Sequence, residues 1–277
     1  YFFVNPRVGV NYNVTQELNA YASLSYTSRE PTLRNLYPGE DAYFGAKPAF
    51  EGTVVGGQVT YDYTKPLAKP ERLIDLELGG ALSGQTGKYT LGFFWMQFRD
   101  ELVNNGKLDI FGVPVTGNAD RTRHVGIELT GLQKLDDHFT VSGNVTVSRN
   151  RLVSDREYDD NGNPVSLDGN PISGFPDLLA NIRLVYHAED GSVALAGRHV
   201  GSFYTDNTQN EQNKVDAYTV FDLNATVEIR REKSGLSLTV HGQVRNLFNK
   251  LYMASGQGIE FFPAAERNYT IALTFGF

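Results

Sequence analysis

Along most of this chain apolar and polar residues alternate at every second position, the period of a strand whose successive side chains point to opposite faces. The last stretch, AERNYTIALTFGF, sets the pattern: Tyr269, Ile271, Leu273, Phe275 and Phe277 share one face, and Asn268, Thr270, Ala272, Thr274 and Gly276 the other. In a soluble sandwich the oily face would be the buried core. In a membrane barrel it would face lipid, with the small polar residues lining the lumen. The alternation recurs over Val8 to Val14, Leu18 to Thr27 and Arg72 to Leu82, and over 119–132, 138–150, 178–188, 191–203, 217–230 and 235–248. The clearest case sets Phe139, Val141, Val145 and Val147 against Thr140, Ser142, Asn144, Thr146 and Ser148. In KYTLGFFWMQFRDEL both faces are apolar for a while, and the facing stays open. Counting that segment, the pattern predicts an all-β chain of 11 strands with no helix of useful length and no domain boundary, so that 1–277 is one unit.

The connections alternate in length. Those near 15–16, 84–87, 133–137, 188–191 and 231–235 are short, and those at 28–70, 102–118, 153–177, 204–216 and 249–264 are long. In an antiparallel meander alternate connections lie at the same end, so the short turns gather at one end and the long loops at the other. That is the layout of an outer-membrane barrel, whereas a sandwich has no reason to sort its turns by length. The strands also reach the ~9 to 11 residues that cross a bilayer at a tilt. An odd count is awkward, because bacterial single-chain barrels have an even number of strands. With 11, the first and last strands run the same way. The expectation is an N-terminally truncated part of a larger barrel; a strand hidden in 28–70, where TVVGGQVTYDY could pair locally, is the alternative.

Composition narrows the class. There is no Cys, which removes disulfides and thiolate metal sites. A net charge of -7 argues against gripping nucleic acid through its phosphates. No apolar run approaches the ~20 residues of a membrane helix, which leaves barrels untouched because their strands are only half apolar. The start, YFFVNPRVG, has neither Met nor the basic-then-apolar layout of a signal peptide, so processing or a longer parent chain is expected.

Eight stretches in order, NPRVGVNY, LNAYASLSYTSREPTLRNLY, LAKPERLIDLELG, FFWMQFRDEL, GNADRTRHVGIELTG, ISGFPDLLANIRLVY, GQVRNLFNKLY and ERNYTIALTFGF, resemble the C-terminal half of the barrel of a TonB-dependent outer-membrane receptor. Such receptors are 22-stranded barrels with a plugged lumen. The resemblance implies that the 11 strands here are the last 11, that the plug and the TonB-binding segment lie elsewhere, and that the setting is a Gram-negative outer membrane. It also implies a function: energised uptake of a scarce small-molecule or metal-chelate ligand, a ferric siderophore first, with cobalamin, haem or an oligosaccharide as alternatives. TonB, the barrel-assembly machinery and outer-membrane lipid are the implied partners.

Candidate residues follow from position. The loop aromatics Tyr37, Tyr43, Phe44, Phe50, Tyr204, Phe261 and Phe262 suit stacking on planar or sugar ligands, and equally suit packing long loops together. Glu128, Asp222, Glu228, Arg245 and Arg267 are read as polar lumen residues. Phe275 and Phe277 match the terminal aromatic that the family's assembly machinery reads. Asn246 and Asn249 suit turn geometry at a strand top, and Pro70 and Pro176 suit hand-over from loop to strand. The loop 153–177 carries Asp155, Glu157, Asp159, Asp160 and Asp168, and offers no basic basin for an anionic chelate. Asp159, Asn161 and Asn163 open like a calcium loop but lack its closing Glu, and no metal or cofactor is expected. Catalytic motifs are absent from the five scattered histidines. Two other classes remain: an autotransporter translocator of about 12 strands, which should begin with a pore-threading helix, and an outer-membrane phospholipase, for which His124 and His199 stand near the right end.

Overall fold

A computed structural model describes all residues except 38–44, 46, 110, 159–160, 232–235 and 277. Strands β1 (Arg7–Asn13) and β2 (Leu18–Arg29) open the chain, followed by a one-turn helix α1 (Leu33–Leu36). A separate hairpin of β3 (Phe50–Val55) and β4 (Gln58–Pro66) comes next. The chain then runs through β5 (Glu71–Ser83), β6 (Gly87–Leu108), β7 (Pro114–Lys134) and β8 (Phe139–Ser154). A small hairpin of β9 (Arg156–Tyr158) and β10 (Pro164–Ser166) precedes β11 (Leu178–Ala188) and β12 (Gly191–Val200). Another, of β13 (Phe203–Tyr204) and β14 (Lys214–Val215), precedes β15 (Tyr218–Arg231) and β16 (Leu236–Arg245). The last, of β17 (Met253–Gln257) and β18 (Glu260–Pro263), leads into β19 (Asn268–Gly276).

The main sheet contains 11 strands in the order β1-β2-β5-β6-β7-β8-β11-β12-β15-β16-β19, and every neighbouring pair is antiparallel. The four other strand pairs are local hairpins inside the long connections. TVVGGQVTYDY therefore does pair locally, as β3–β4 turning at Gly56 and Gly57, and it adds no strand to the sheet. The long connection read over 102–118 is shorter than its sequence indicated. β6 and β7 continue as strands to Leu108 and from Pro114, because Val103 and Ala119 bury against Leu152, Leu167 and Ile172 above the sheet. At the other end the turn over 232–235 lies outside the described residues.

Register settles the facing of KYTLGFFWMQF. Tyr89, Leu91, Phe93 and Trp95 stand opposite Leu82, Gly80, Leu78 and Leu76 of β5, on the oily face. Phe94 and Met96 stand opposite Glu77 and Asp75, on the polar face. Aromatic rings fit that inner face because glycines lie beneath them: a Cβ on Gly79 would come 2.5 Å from the Tyr21 ring, and one on Gly126 2.6 Å from Phe94. On the outer face Tyr269, Ile271, Leu273 and Phe275 are 68, 77, 56 and 67% exposed, a band that only an apolar solvent would cover.

The buried clusters sit at the long-loop end. Val103, Ala119, Leu152, Leu167 and Ile172 form one. Val200, Phe203, Val215, Tyr218 and Val220 form the other, with Tyr252 and Phe261 packed against it. Apolar burial thus folds the loops onto the strand ends, while the sheet itself leaves its oily face outward.

The Tyr21 ring over Gly79 gives a test of the inner-face packing. Gly79→Ala is expected to lower the urea midpoint of the barrel by the equivalent of about 1–3 kcal/mol. In a double-mutant cycle Tyr21→Ala should recover most of that loss, and independent, additive effects would refute the close approach.

Candidate functional site

Two surfaces bring functional groups together: the rim formed by the long loops and the groove on the polar inner face. At the rim, residues from four connections share one hydrogen-bond lattice. Asn104, at the extended end of β6, and Gln257 of β17 exchange amide hydrogen bonds, with Asn104 Nδ2 donating to Gln257 Oε1 at 2.6 Å. The Asn104 carbonyl accepts from Asn207 Nδ2 at 2.9 Å and from Ser173 Oγ at 3.2 Å. Asn207 Oδ1 accepts the Ser173 amide at 2.9 Å, and the Asn207 carbonyl accepts Asn170 Nδ2 at 2.9 Å. Thr205 Oγ1 donates to the Gly258 carbonyl at 2.6 Å, and the Gly258 amide returns a bond to the Thr205 carbonyl at 3.0 Å. Thr205, Asn207, Ser173 and Gln257 are all buried, so each of these groups needs its partner. The loops cross at glycines of positive φ: a Cβ on Gly106 (φ 81°) would lie 2.3 Å from Asp206 Cβ, and one on Gly258 (φ 55°) 2.4 Å from the Gly106 carbonyl oxygen.

The connection after β2 docks onto the same rim. Arg34 of α1 pairs with Asp109, and Asn35 Nδ2 donates to Thr116 Oγ1 at 2.7 Å. Asp109 also accepts the amides of Val113 and Phe111, each at 2.9 Å. Those amides, Val113 first, and the Arg34 guanidinium hold its carboxyl below the usual carboxylate range.

Just below the rim His124 is buried between Phe98 and Phe175, with ring centroids 5.4 and 5.2 Å away. Its Nδ1 lies 2.8 Å from Asn150 Oδ1 and its Nε2 3.2 Å from Glu101 Oε2, and Thr122 Oγ1 also donates to Glu101. No sequence pattern marks the partners of His124, because Asn150 stands opposite it on β8 and Glu101 reaches it from further along β6, past the register partner Met96. With both ring nitrogens facing these acceptors, no hydroxyl nucleophile occupies the place that hydrolysis would require. His199 Nδ1 is engaged by Thr219 Oγ1 at 2.9 Å.

The inner face forms a groove of about 860 Å³. Lys88, Arg183, Arg198 and Arg245 line it with one carboxylate, Asp222. Arg198 reaches the Tyr252 hydroxyl at 3.4 Å and lies over the Tyr218 ring at 5.9 Å. Arg245 Nε donates to Gln243 Oε1 at 2.9 Å. Asp222 accepts the Asn246 amide at 2.8 Å, which fixes the top of β16 where Asn246 and Asn249 both take φ 52°. The acidic loop had pointed away from a basic basin. The basic surface lies on the wall below, where residues far apart in sequence meet by register.

Of the expected lumen residues, Asp222 and Arg245 line the groove and Glu128, Glu228 and Arg267 do not. Glu128 accepts from Thr146 Oγ1 at 3.4 Å on the inner face. Arg267 precedes β19, with its amide donating to Asn249 Oδ1 at 2.8 Å. Among the loop aromatics, Tyr37 and Phe50 pack with Tyr63 at centroid distances of 6.3 and 5.1 Å. The Tyr204 hydroxyl donates to Glu211, Phe261 packs against the buried cluster, and Phe262 is 44% exposed. Tyr43, Phe44, Asp159, Asp160 and Phe277 lie outside the described residues. Among the described residues no group of three or more His, Cys, Asp or Glu is placed to hold a metal ion.

A sequence profile of the TonB dependent receptor-like β-barrel matches residues 1–247, and the chain belongs to that family. Its members are outer-membrane receptors and transporters, not enzymes. Among the described residues no helix is long and apolar enough to cross a membrane. Similar solved structures include the ferric-catecholate import receptor Fiu of E. coli K12 in its closed form, 17% identical with a TM-score of 0.65 over 97% of this chain and 34% of that one. The siderophore receptor PiuA of Acinetobacter baumannii is 16% identical with a TM-score of 0.69 over 98% of this chain and 35% of its own. The FrpB iron transporter of Neisseria meningitidis is 21% identical with a TM-score of 0.66 over 98% and 38%. At these identities the likeness shows the fold, and the chain spans about a third of the length of these structures. A comparison with functionally characterised sequences gives no match.

Two outcomes are expected at the rim. Asn207→Ala should raise amide exchange at Asn170, Ser173 and neighbouring loop positions together, at a stability cost of about 1–3 kcal/mol, since it orphans buried partners; a change confined to 205–213 would show the lattice to be dispensable. For Asp109 the folded pKa is depressed, so its contribution is complete above the unfolded value of about 3.9 and is lost as pH falls through the folded value. The protection of the Phe111 and Val113 amides, taken relative to intrinsic exchange at each pH, should therefore fall in acid, and Asp109→Asn should remove that pH dependence.

Proposed function

We propose that this chain is the C-terminal barrel portion of a receptor that takes up a ferric chelate of the siderophore kind across the outer membrane with energy from TonB. The observation that carries the reading is the groove, where four cations face one carboxylate on the inner wall of a barrel of this family. Such a concave wall of net positive charge raises the local concentration of an anion and steers it inward. The names of the structural neighbours support an iron ligand for those proteins, and the ligand here is inferred from the charge of the wall.

A plug supplied by another part of the receptor would complete the inner face. Asp75 Oδ1 supports this, being buried without a hydrogen-bond partner among the described residues. Tyr37, Tyr204, Phe261 and Phe262 at the rim, with Tyr43 and Phe44, are the aromatic contacts proposed for the ligand. Phe275, exposed near the end of β19, and Phe277 are proposed as the signal read by the barrel-assembly machinery.

The test is uptake of radiolabelled iron by iron-starved cells that carry the whole receptor. Uptake should depend on TonB, and Arg183→Ala with Arg245→Ala should reduce it by about tenfold or more for an anionic ferric chelate at low ionic strength, and much less in high salt. Equal uptake of anionic and neutral chelates by both proteins, or uptake without TonB, would rule the reading out.

A further inference from the structure

The outer face carries a second charged surface, of the opposite character to the chain as a whole. Register places Arg72 of β5 opposite Arg99 of β6, and Arg99 opposite Arg121 of β7. One row nearer the short turns, Gln97 stands opposite Arg123, and Arg123 opposite Arg151 of β8. In the next row Trp95 stands opposite Val125, and Val125 opposite Arg149. Below that the face is apolar, with Leu78, Phe93, Ile127 and Val147 in line. The arginines alternate with buried Thr122, His124 and Asn150, whose side chains take the inner side. Six guanidinium-bearing residues therefore crown the apolar band on its lipid side.

Their height is set by chain length. Counted from Ser83, Gly87, Lys134 and Phe139, the residues Arg72, Arg99, Arg123 and Arg149 are numbers 12, 13, 12 and 11 of their strands. About 9 to 11 tilted residues cross the hydrocarbon core, so the patch begins where hydrocarbon gives way to headgroups on the long-loop side.

Like charges directly opposite one another destabilise a sheet. Among the described residues no side-chain hydrogen bond or ion pair offsets that cost at Arg72, Arg99, Arg121, Arg123 or Arg149, and Arg151 alone is bound, by Asp177 at 3.0 Å. A cleft of about 580 Å³ opens between them, lined by Trp95, Arg123, Val125, Arg149, Arg151 and Leu152. Guanidinium forks match phosphate oxygens in bidentate geometry, and Trp settles at the membrane interface.

We propose that this patch binds the phosphate groups of a phosphorylated glycolipid in the outer leaflet, with its acyl chains lying on the apolar rows below. The site rests on the family's outer-membrane placement and is independent of which ligand the receptor carries. A lipid fits better than a dissolved anion because the charges sit directly on an apolar band and flank a Trp at the same height.

The experiment uses the whole receptor in phosphatidylcholine nanodiscs that carry bisphosphorylated lipid A, with retained lipid A counted by native mass spectrometry. The receptor should retain it, and a variant with Arg99→Gln, Arg121→Gln, Arg123→Gln and Arg149→Gln should lose retention by about a hundredfold. The corresponding four Arg→Lys changes should keep most of the binding, and heat-modifiable gel mobility shows that both variants are folded. Dephosphorylated lipid A should not be retained by the native protein. Undiminished retention by the folded Gln variant, equal retention of dephosphorylated lipid A, or full displacement by millimolar inorganic phosphate would each overturn the proposal. Iron uptake measured on the same variants separates this outcome from failure of the transport reading.

Discussion

Hydrocarbon offers the backbone no hydrogen-bond partner, and that constraint dictates most of this structure. A strand that crosses it must give each N–H and C=O to a neighbouring strand, so the chain proceeds as an unbroken antiparallel meander. The side chains then divide with the pleat. Leu, Ile, Val and aromatic residues meet the lipid, and Thr, Ser and Asn line the inside. Among the described residues the buried apolar clusters lie where the strands leave the membrane and the loops must hold themselves together.

Above the span water returns and the constraints change. Loops of this length would be mobile if left to themselves, but here they carry their own short hairpins and share buried amides. Asn104, Asn207 and Gln257 act as crossing points between connections that are distant in sequence. The inner wall beneath them is basic while the loop after β8 is acidic.

The meander was legible because period-two alternation runs over nine or more residues in most strands, and because most of the connections at one end are long and those at the other short. Asn246 and Asn249 took the positive φ that their residue type allows, and Pro70 and Pro176 precede strands as expected. The facing of β6 was not legible, since apolar residues occupy both faces. Glycines on neighbouring strands decide it by leaving room for Tyr21 and Phe94 inside. The pairs β9–β10, β13–β14 and β17–β18 are too short for alternation to register. The environment of His124, the basic groove and the arginine rows were invisible for one shared reason. Their members lie a strand or more apart in sequence and become neighbours only when register is known.

The lattice across the rim also has a thermodynamic consequence. A flexible loop must be ordered by whatever binds it, at about 0.5–1.5 kcal/mol for each rotamer-rich side chain that is immobilised. In this rim Asn104, Asn207 and Gln257 are already held by one another, so their ordering entropy is lost when the protein folds and not when a solute is captured. A solute that met these three side chains would incur no further ordering cost from them.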